Sequence, residues 1–313
     1  MKRLILITML FLTSCQPQAN DVNSRSGYGQ YTIEYLRERA YGYGEIEVVK
    51  MLDDQPNLTR YLFRYPSDDL TIYGYVNVPK GSGPHPILIA LHGYVLKETY
   101  QGEEYDTDAM DRIAQEGYIV FHPFLRNYPP SDEGDNYFRV GMSIDVLNLI
   151  ALVKMGNAPD ELLSSAASDR IGLWGYSLGG GIVLRVLAVS PDIDAAVLYS
   201  SLSGDEIKNA ELLWQLSSDP TLQSELQDPP GNPDQISPKN FYQYINAPIQ
   251  LYHGTADTIV PLAWAEETCE TLSSADVNIS CKYFPDEGHS FRRRVSEEFY
   301  GSMLDFYKKY LSP

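Results

Sequence analysis

Six short apolar segments recur from the middle of the chain to its C-terminal part, separated by segments with helical spacing. They are "HPILIALHG", "GYIVFHPF", "DRIGLWGYS", "DAAVLYSS", "APIQLYHG" and "VNISCKYF". Strands that are apolar at nearly every position suit a mostly parallel sheet with helices on both faces. Two earlier segments, "EIEVVKML" and "LTIYGYVNVP", alternate in polarity and predict antiparallel strands. The sequence therefore predicts an α/β fold with right-handed crossovers.

Four segments between and after these strands have the spacing of helices. They are "YDTDAMDRIAQEGY", "IDVLNLIALVKM", "IVLRVLAVS" and "SEEFYGSMLDFYKKYL". Asp106 and Asp108 are capping candidates for the first helix, and Gly117 is its stop signal. We find no internal repeat and no second domain boundary. The 313 residues therefore fit one large α/β domain, which we place at 31–313.

One polar segment, 204–246, interrupts this rhythm. It holds a short helical pattern around Leu212, Leu213 and Leu216, followed by a stretch rich in proline and glycine. A connection of this length inside a compact domain is usually functional, so we interpret the segment as a possible lid. A surface insertion without a role in function is the alternative.

The charge of the chain limits its partners. Hydrophobic residues make up 43% and charged residues 21% of the sequence, which is an ordinary globular composition. The formal net charge is −18. Because nucleic-acid binding needs clustered lysine and arginine, a nucleic-acid partner is not expected. The simplest role of the negative charge is to keep the protein soluble.

The first residues have the features of an export signal. The basic start "MKR" precedes an apolar run, 4–12, that is too short to span a bilayer. The following "LTSC" resembles the lipobox of bacterial lipoproteins, which implies cleavage before Cys15 and lipidation of this residue. We expect a signal peptide at 1–14 and a lipidated, flexible tether at 15–30, holding an exported protein at a bacterial membrane. An ordinary signal peptide with an incidental cysteine is the alternative.

Two further cysteines lie in the C-terminal part, and export would place them in an oxidising compartment. Cys269 belongs to the apolar stripe of the predicted helix in "PLAWAEETCETLSS", and Cys281 to one face of the strand "VNISCKYF". Both thiols therefore point into the same helix–sheet layer, and we favour a disulfide between them. Two buried free thiols that pack as small hydrophobes are the alternative.

The segment "GLWGYSLGGG" carries the strongest chemical signal. Ser177 follows a predicted buried strand, opens a predicted buried helix and lies between Gly175 and Gly179. A G-x-S-x-G sequence in this context is typical of a nucleophile elbow, a strained turn that projects the serine Oγ from the sheet. A Cβ at either glycine would crowd this turn. Because a helix N-terminus has free N–H groups, the N–H of Leu178 is a candidate oxyanion donor.

A serine nucleophile needs a base, and the base needs a group that orients it. His289 in "PDEGHSF" lies between the last predicted strand and the last helix, where the elbow fold places its base. Asp257 in "HGTADTIVP" is the favoured acid, and Asp205 in "LSGDE" is the competing candidate. The loop "LHGY" would supply the second oxyanion donor, which is the backbone N–H of Tyr94 or, alternatively, its hydroxyl. We expect His92 to anchor this loop rather than to transfer protons.

Together these motifs resemble the α/β-hydrolase fold, and more narrowly the prolyl oligopeptidase-like and dienelactone hydrolase-like serine esterases. "LHGY", "GYSLGG", "HGTADTIVP" and "GHSF" occur in the order of that family. The resemblance implies a mostly parallel central sheet with antiparallel N-terminal strands, helices on both faces and a small lid. Two departures matter: the chain has no room for the propeller of prolyl oligopeptidases, and its nucleophile is a serine where dienelactone hydrolase has a cysteine.

The reaction that these residues imply is hydrolysis of carboxylic esters through a Ser177–His289–Asp257 triad and an acyl-enzyme. A prolyl oligopeptidase-like peptidase or aminopeptidase is the alternative, with Glu206 and Glu211 as candidates to bind an amino terminus. An acyltransferase and a non-catalytic surface-binding domain are less favoured. The sequence contains no H-E-x-x-H motif, Cys/His metal cluster or dinucleotide-binding G-x-G-x-x-G, so no cofactor or metal is expected. The expected partners are a small-molecule ester or short peptide and, through the lipid anchor, the membrane.

Overall fold

A nine-stranded sheet forms the centre of the protein in the computed structural model, which describes residues 28–104, 106–227 and 231–312. The strands are β1 Glu47–Asp54, β2 Leu58–Ser67, β3 Leu70–Pro79, β4 His85–Leu91, β5 Ile119–Pro123, β6 Ala166–Tyr176, β7 Ala195–Tyr199, β8 Ile249–Gly254 and β9 Ile279–Phe284. Their order across the sheet is β1-β2-β3-β5-β4-β6-β7-β8-β9. The first three pairs in this order are antiparallel and the other five are parallel. The predicted α/β class is therefore confirmed.

The helices cover both faces of this sheet. They are α1 Ile33–Glu38, α2 Thr107–Gln115, α3 Val140–Met155, α4 Asp160–Leu163, α5 Leu178–Val189, α6 Glu206–Ser217, α7 Pro220–Gln227, α8 Leu262–Ser274 and α9 Arg293–Leu311. A Cβ built on Gly172 of β6 would lie 2.8 Å from Leu311 of α9, whereas one on Gly175 would lie 2.6 Å from Gly179 of α5. Positions an odd number apart in a strand point to opposite faces, so α5 and α9 lie on opposite sides.

Three inner strands, β5, β7 and β8, are the most buried part of the sheet. Every residue of β5, β7 and β8 is buried. In contrast, β1 is an edge strand in which no residue is fully buried. The near-continuous apolar segments of the sequence follow from this double coverage by helices.

The sequence pattern does not predict β2. Its segment "LTRYLFRYPS" contains two arginines and a proline, which break the apolar pattern of a central strand. Arg60 is nevertheless buried, because its guanidinium pairs with Asp111 of α2 and its Nε donates to Asn77 Oδ1 at 2.9 Å. A buried charge is tolerated when it is paired and hydrogen-bonded, and both partners are distant in sequence.

The described part of the chain begins just before residue 31, the predicted start of the domain. Residues 28–30, which the sequence pattern assigns to the tether, form a 3₁₀ turn, Tyr28–Tyr31. The ring of Tyr28 lies 5.9 Å from that of Tyr31 and 6.4 Å from that of Tyr137. Aromatic packing therefore connects Tyr28 to residues of the domain, and the boundary at 31 stays a prediction. The predicted signal peptide, Cys15 and the rest of the tether lie outside the described residues.

The described residues of the segment 204–246 form α6, α7 and two 3₁₀ turns, Pro233–Gln235 and Pro238–Tyr244. The carboxylate of Glu206, 1% exposed, pairs with Arg139 at the start of α3 and with Arg185 of α5. Helix α7 buries Glu225 alone among its residues. The first part of the segment is thus tied to the domain by buried charges, and α7 is held less tightly. Among the described residues, no helix is long and apolar enough to cross a membrane.

Candidate active site

The predicted site residues lie at the carboxyl edge of the parallel strands. Strand β4 leads to the loop 92–95, β6 to Ser177, β8 to Asp257 and β9 to His289. From β4, the chain adds β5 on one side and β6 on the other. Such a reversal of strand order opens a crevice outside the carboxyl ends of the strands, which is where α/β proteins bind ligands.

Ser177 lies in a strained turn between β6 and α5. Its backbone angles are φ 52° and ψ −112°, a conformation that is uncommon for a residue with a Cβ. A Cβ on Gly175 would lie 2.6 Å from the carbonyl oxygen of Gly179, and a Cβ on Gly179 would lie 2.3 Å from that of Leu91. The N–H of Ser177 donates to the carbonyl of Tyr199 at 2.9 Å. Both glycines are therefore required by space, and the turn has the geometry of a nucleophile elbow.

Asp257 and His289 form a hydrogen-bonded pair. His289 Nδ1 lies 2.8 Å from Asp257 Oδ2, and the aspartate side chain is fully buried. The other carboxylate oxygen accepts the N–H groups of Ile259 at 2.8 Å and Val260 at 3.0 Å. Burial alone would raise the pKa of Asp257, but the hydrogen bonds from His289 and these amides hold it below its ordinary value. The ionised carboxylate thus fixes a proton on Nδ1 and leaves Nε2 as the acceptor.

A second histidine, His253, lies next to Asp257. His253 is fully buried, with Nε2 3.0 Å from the carbonyl oxygen of Val260 and 3.4 Å from Asp257 Oδ2. Burial lowers the pKa of His253, so its ring is neutral and donates to that carbonyl. This histidine therefore braces the acid loop and does not serve as a base.

Tyrosines of β6 and β7 hold the loop that carries His289. Tyr176 Oη lies 2.6 Å from Ser290 Oγ, and its ring centroid is 5.1 Å from that of His289. The hydroxyl of Tyr199 accepts the N–H of Phe291 at 2.5 Å. Because Tyr176 directly precedes Ser177, these contacts bring the histidine to the elbow.

Glu287 connects the loop that carries His289, the predicted base, to the loop that carries Asp257, the predicted acid. Its carbonyl accepts the N–H of Ala256 at 2.8 Å. Its side chain has no solvent exposure and accepts the N–H of Arg292 at 2.7 Å, and it pairs with the guanidinium groups of Arg292 and Arg294. The hydrogen bonds from Arg292 lower the pKa of Glu287 to about 2. The loop is therefore closed around an ionised carboxylate throughout the neutral pH range.

The predicted oxyanion donors lie beside the elbow. Leu178 is the first residue of α5, where the N–H groups of the first turn have no acceptor within the helix. A Cβ on Gly93 would lie 3.3 Å from the Cβ of Ser177, so the Gly93–Tyr94 peptide runs alongside the serine. The side chain of Tyr94 is half-buried. Both donors are thus next to the predicted nucleophile.

A cleft of about 750 Å³ opens at this point. Tyr94 and Leu178 contribute to its lining, together with residues of the 204–246 segment and the loop before α3. Its carboxylates are Glu98, Glu133, Asp135, Asp219 and Glu225, and its cations are Lys97 and Arg139. The cleft is therefore large enough for a small molecule and carries an excess of negative charge.

Other predicted residues are occupied elsewhere. Asp205, the competing acid, is the N-cap of α6: its Oδ1 accepts two helix N–H groups and its Oδ2 pairs with Lys239 at 2.6 Å. A disulfide joins Cys269 of α8 to Cys281 of β9, with the Cα atoms 6.5 Å apart. It ties together the helix after the acid loop and the strand before the base loop.

The family model described as the dienelactone hydrolase family matches residues 72–309. The chain belongs to the dienelactone hydrolase family. A carboxymethylenebutenolidase-like protein of Salmonella typhimurium is 25% identical over 241 residues, which cover 72% of this chain and 74% of that protein. The 2,6-dihydropseudooxynicotine hydrolase of Paenarthrobacter nicotinovorans is 23% identical over 222 residues, 68% of this chain and 55% of that enzyme.

Solved structures give the same fold for this dienelactone hydrolase family member. Acetyl xylan esterase 1 from Thermoanaerobacterium sp. superposes with a TM-score of 0.65 and 19% identity, covering 90% of this chain and 91% of that one. The Pyrococcus horikoshii acylaminoacyl peptidase superposes with a TM-score of 0.62 and 18% identity over 87% of this chain but only 51% of the peptidase. The protein has the α/β-hydrolase fold and is a hydrolase of that type.

The sequence patterns do not predict the supporting residues Tyr176, Tyr199 and Glu287. The tyrosines end two predicted strands at their carboxyl edge, and this position was a usable signal. Glu287 stands two residues before His289 in an acidic loop, and nothing in the sequence distinguishes it from its solvated neighbours.

Proposed function

We propose that this hydrolase is a serine esterase that cleaves carboxylic esters of small molecules. Ser177 would be the nucleophile, His289 the general base and acid, and Asp257 the group that orients the histidine. The N–H groups of Leu178 and Tyr94 would bind the oxyanion. The observation that carries the proposal is the strained elbow serine at the same sheet edge as a buried, hydrogen-bonded Asp–His pair.

The reaction follows from these roles. Ser177 Oγ attacks the ester carbonyl carbon while His289 Nε2 takes the hydroxyl proton, and the negative oxygen of the tetrahedral intermediate accepts the two backbone N–H groups. The bond to the alcohol breaks as His289 returns the proton to the leaving oxygen. A water molecule, deprotonated by the same histidine, then attacks the acyl-enzyme, which releases the acid and regenerates the serine.

The decisive experiment removes the serine hydroxyl. Ser177→Ala should lower kcat for phenyl acetate by about 10⁴- to 10⁶-fold and abolish labelling by a fluorophosphonate. Ser190→Ala is the matched control, because Ser190 lies at the opposite end of α5 and its hydroxyl only accepts the N–H of Asp192. Wild-type protein that neither hydrolyses the ester nor labels at Ser177 would refute the proposal.

The peptidase alternative needs a group that binds the amino terminus of a peptide, for which Glu206 and Glu211 were the candidates. Glu206 is buried and already holds two arginines, so its carboxylate has no capacity left for the amino terminus of a peptide. Glu211 is exposed on α6 and forms no part of the cleft among the described residues. Comparison of phenyl acetate with aminoacyl 4-nitroanilides tests this directly, since a preference for the anilides would reverse the ranking.

We also propose that the 204–246 segment acts as the wall of the substrate cleft, and that the protein is exported and anchored through lipid at Cys15. The first part is supported by the residues of α6 and α7 that line the cleft. The second part is supported by the basic start, apolar run and "LTSC" of the sequence. Cys15→Ser should move the protein from the membrane fraction to the soluble fraction of a bacterial host.

A further inference from the structure

The loop 92–95 places Tyr94 next to the elbow, and its backbone is held from the side opposite Ser177. Gly93 packs against Tyr176, where a Cβ would lie 2.9 Å from the ring, and against Ser177. His92, which is fully buried, has its Nδ1 2.7 Å from the carbonyl oxygen of Gly93 and its Nε2 3.1 Å from that of Phe124, so the ring lies between two backbone carbonyls. In a planar trans peptide the C=O and N–H groups point in opposite directions. An imidazole that holds the Gly93 carbonyl therefore directs the N–H of Tyr94 away from itself.

One tyrosine hydroxyl holds the next peptide of this loop. Tyr128 follows β5, is 3% exposed and lies with its Oη 3.4 Å from the N of Val95 and 3.1 Å from the carbonyl oxygen of Val95. The hydroxyl accepts the N–H and donates to the C=O, so both backbone polar groups of the residue after Tyr94 are bound by a single side chain.

The hydroxyl is itself well fixed. The ring of Tyr128 meets that of His92 edge-on, with the centroids 4.7 Å apart. Burial raises the pKa of Tyr128, so the phenol remains protonated and can donate across the working pH range. His92 and Tyr128 thus pack on each other. His92 contacts the peptide before Tyr94, and Tyr128 binds the residue after it.

We propose that Tyr128 is a positioning residue for the reaction: its hydroxyl fixes Val95 and so aims the Tyr94 N–H at the oxyanion. This inference rests on the proposed function, because it assigns the Tyr94 N–H the oxyanion role. Tyr128 also lines the cleft, but its hydroxyl is bound to the backbone of Val95, and this contact carries the positioning role. Its effect is therefore on the transition state, in which the charge on the oxygen develops, more than on the bound ester.

Tyr128→Phe tests the inference, because it keeps the ring and removes only the hydroxyl. Loss of a complete oxyanion donor costs about 10²- to 10³-fold in kcat, and a misaligned donor should cost about 10- to 100-fold. KM for phenyl acetate should change less than about threefold. Affinity for a phenyl trifluoromethyl ketone, which forms a tetrahedral adduct with the serine, should fall by the same factor as kcat/KM.

Tyr65→Phe is the matched control. Tyr65 is equally buried and its hydroxyl donates to the backbone carbonyl of Asp145 at 3.1 Å, but it lies between β2 and α3. This variant should lose stability like Tyr128→Phe and keep kcat within about twofold. Rates are expressed per fluorophosphonate-labelled site, so that unfolded protein does not count as lost activity.

The outcomes separate the two proposals. Wild-type protein without esterase activity or labelling would refute the proposed function itself. Active wild type with Tyr128→Phe within twofold of it in kcat/KM and ketone affinity would overturn the inference alone, and so would equal losses in Tyr128→Phe and Tyr65→Phe. A fall in kcat with unchanged ketone affinity would also overturn it, because the hydroxyl would then act elsewhere than on the oxyanion.

Discussion

The loops that carry Asp257 and His289 contrast with α7, which lines the cleft that opens beside the elbow. Both oxygens of Asp257 are bound, its neighbour His253 is buried, and Glu287 closes the base loop with two arginines. Helix α7 buries one residue, the carboxylate-bearing Glu225. Several contacts therefore fix each group that is proposed to perform the reaction. Fewer contacts fix α7, which forms part of the cleft wall. Hydrogen bonds and ion pairs thus concentrate around Asp257 and His289, whereas fewer contacts hold α7 in the cleft wall.

After loss of the Ser177 hydroxyl itself, the largest effect should come from Asp257, the acid proposed to orient His289. Asp257→Asn keeps the shape of the residue but presents an amide to His289 Nδ1 and favours the wrong tautomer, so kcat should fall by about 10⁴-fold. Because the pKa of Asp257 lies below its ordinary value, the wild-type carboxylate is ionised at neutral pH, and raising the pH should not restore the variant. Steady-state kinetics with phenyl acetate from pH 6 to 9 measures both.

Asp205→Asn is the control for this prediction, since Asp205 is the other aspartate that follows a central strand. It caps α6, so its replacement should cost about 1 kcal/mol of stability or less and spare kcat. A large loss of kcat in Asp205→Asn, with little loss in Asp257→Asn, would exchange the roles of the two aspartates.

The second effect concerns the buried ion pairs of Glu206, which hold the start of the 204–246 segment. Glu206→Gln leaves Arg139 and Arg185 facing a neutral amide in a buried site, which should cost about 3–5 kcal/mol in the free energy of unfolding. Urea unfolding followed by circular dichroism measures it. Glu211→Gln, on the exposed side of the same helix, should stay within about 0.5 kcal/mol of wild type. Equally small changes in the free energy of unfolding of both variants would mean that the ion pairs of Glu206 do not anchor the segment.

Part of this contrast could be predicted from the sequence. Strands covered on both faces are apolar throughout, so most of the sheet could be predicted. Ser177, Asp257 and His289 occur in the chain order of a nucleophile, acid and base, and this order is what makes them the predicted site residues. These signals are local, because each depends on a short segment and its position in the order of elements.

The remainder depends on contacts between distant residues. Strand β2 was missed because Arg60 is buried against Asp111 and Asn77, which are far away in sequence. Glu287 looks like any solvated acidic residue until Arg292 and Arg294 close over it. Pairing of this kind leaves no periodic pattern, so composition and spacing do not reveal it.

The third effect tests whether the disulfide contributes to the rigidity of the acid and base loops. The bond closes a loop between residues 12 apart in sequence, and removing it should cost roughly 3 kcal/mol of stability in the chain-entropy model. Thermal unfolding of the Cys269→Ser/Cys281→Ser variant measures this, and wild type treated with dithiothreitol should show the same shift. At 25 °C kcat should change less than about threefold, because the Asp–His hydrogen bond and Glu287 remain. A drop in kcat as large as that of Asp257→Asn would show that the covalent link, rather than the hydrogen bonds, holds the pair.

The smallest effect should come from the cleft wall, and it concerns selectivity rather than rate. Five carboxylates line the cleft against two cations, and one of those cations, Arg139, is already paired with Glu206. An acetate ester whose alcohol part carries a carboxylate should therefore react about three- to tenfold more slowly than its neutral methyl ester at low salt. Screening shortens the range of these charges, so the ratio should shrink in 0.5 M NaCl. Asp219→Asn, at a half-buried cleft residue just before α7, should narrow the ratio further, whereas Asp169→Asn, outside the cleft, should leave it unchanged. A faster reaction of the anionic ester, or a rate ratio that does not change with salt, would contradict the prediction. The carboxylates of the cleft wall would then not act on the ester through their charge.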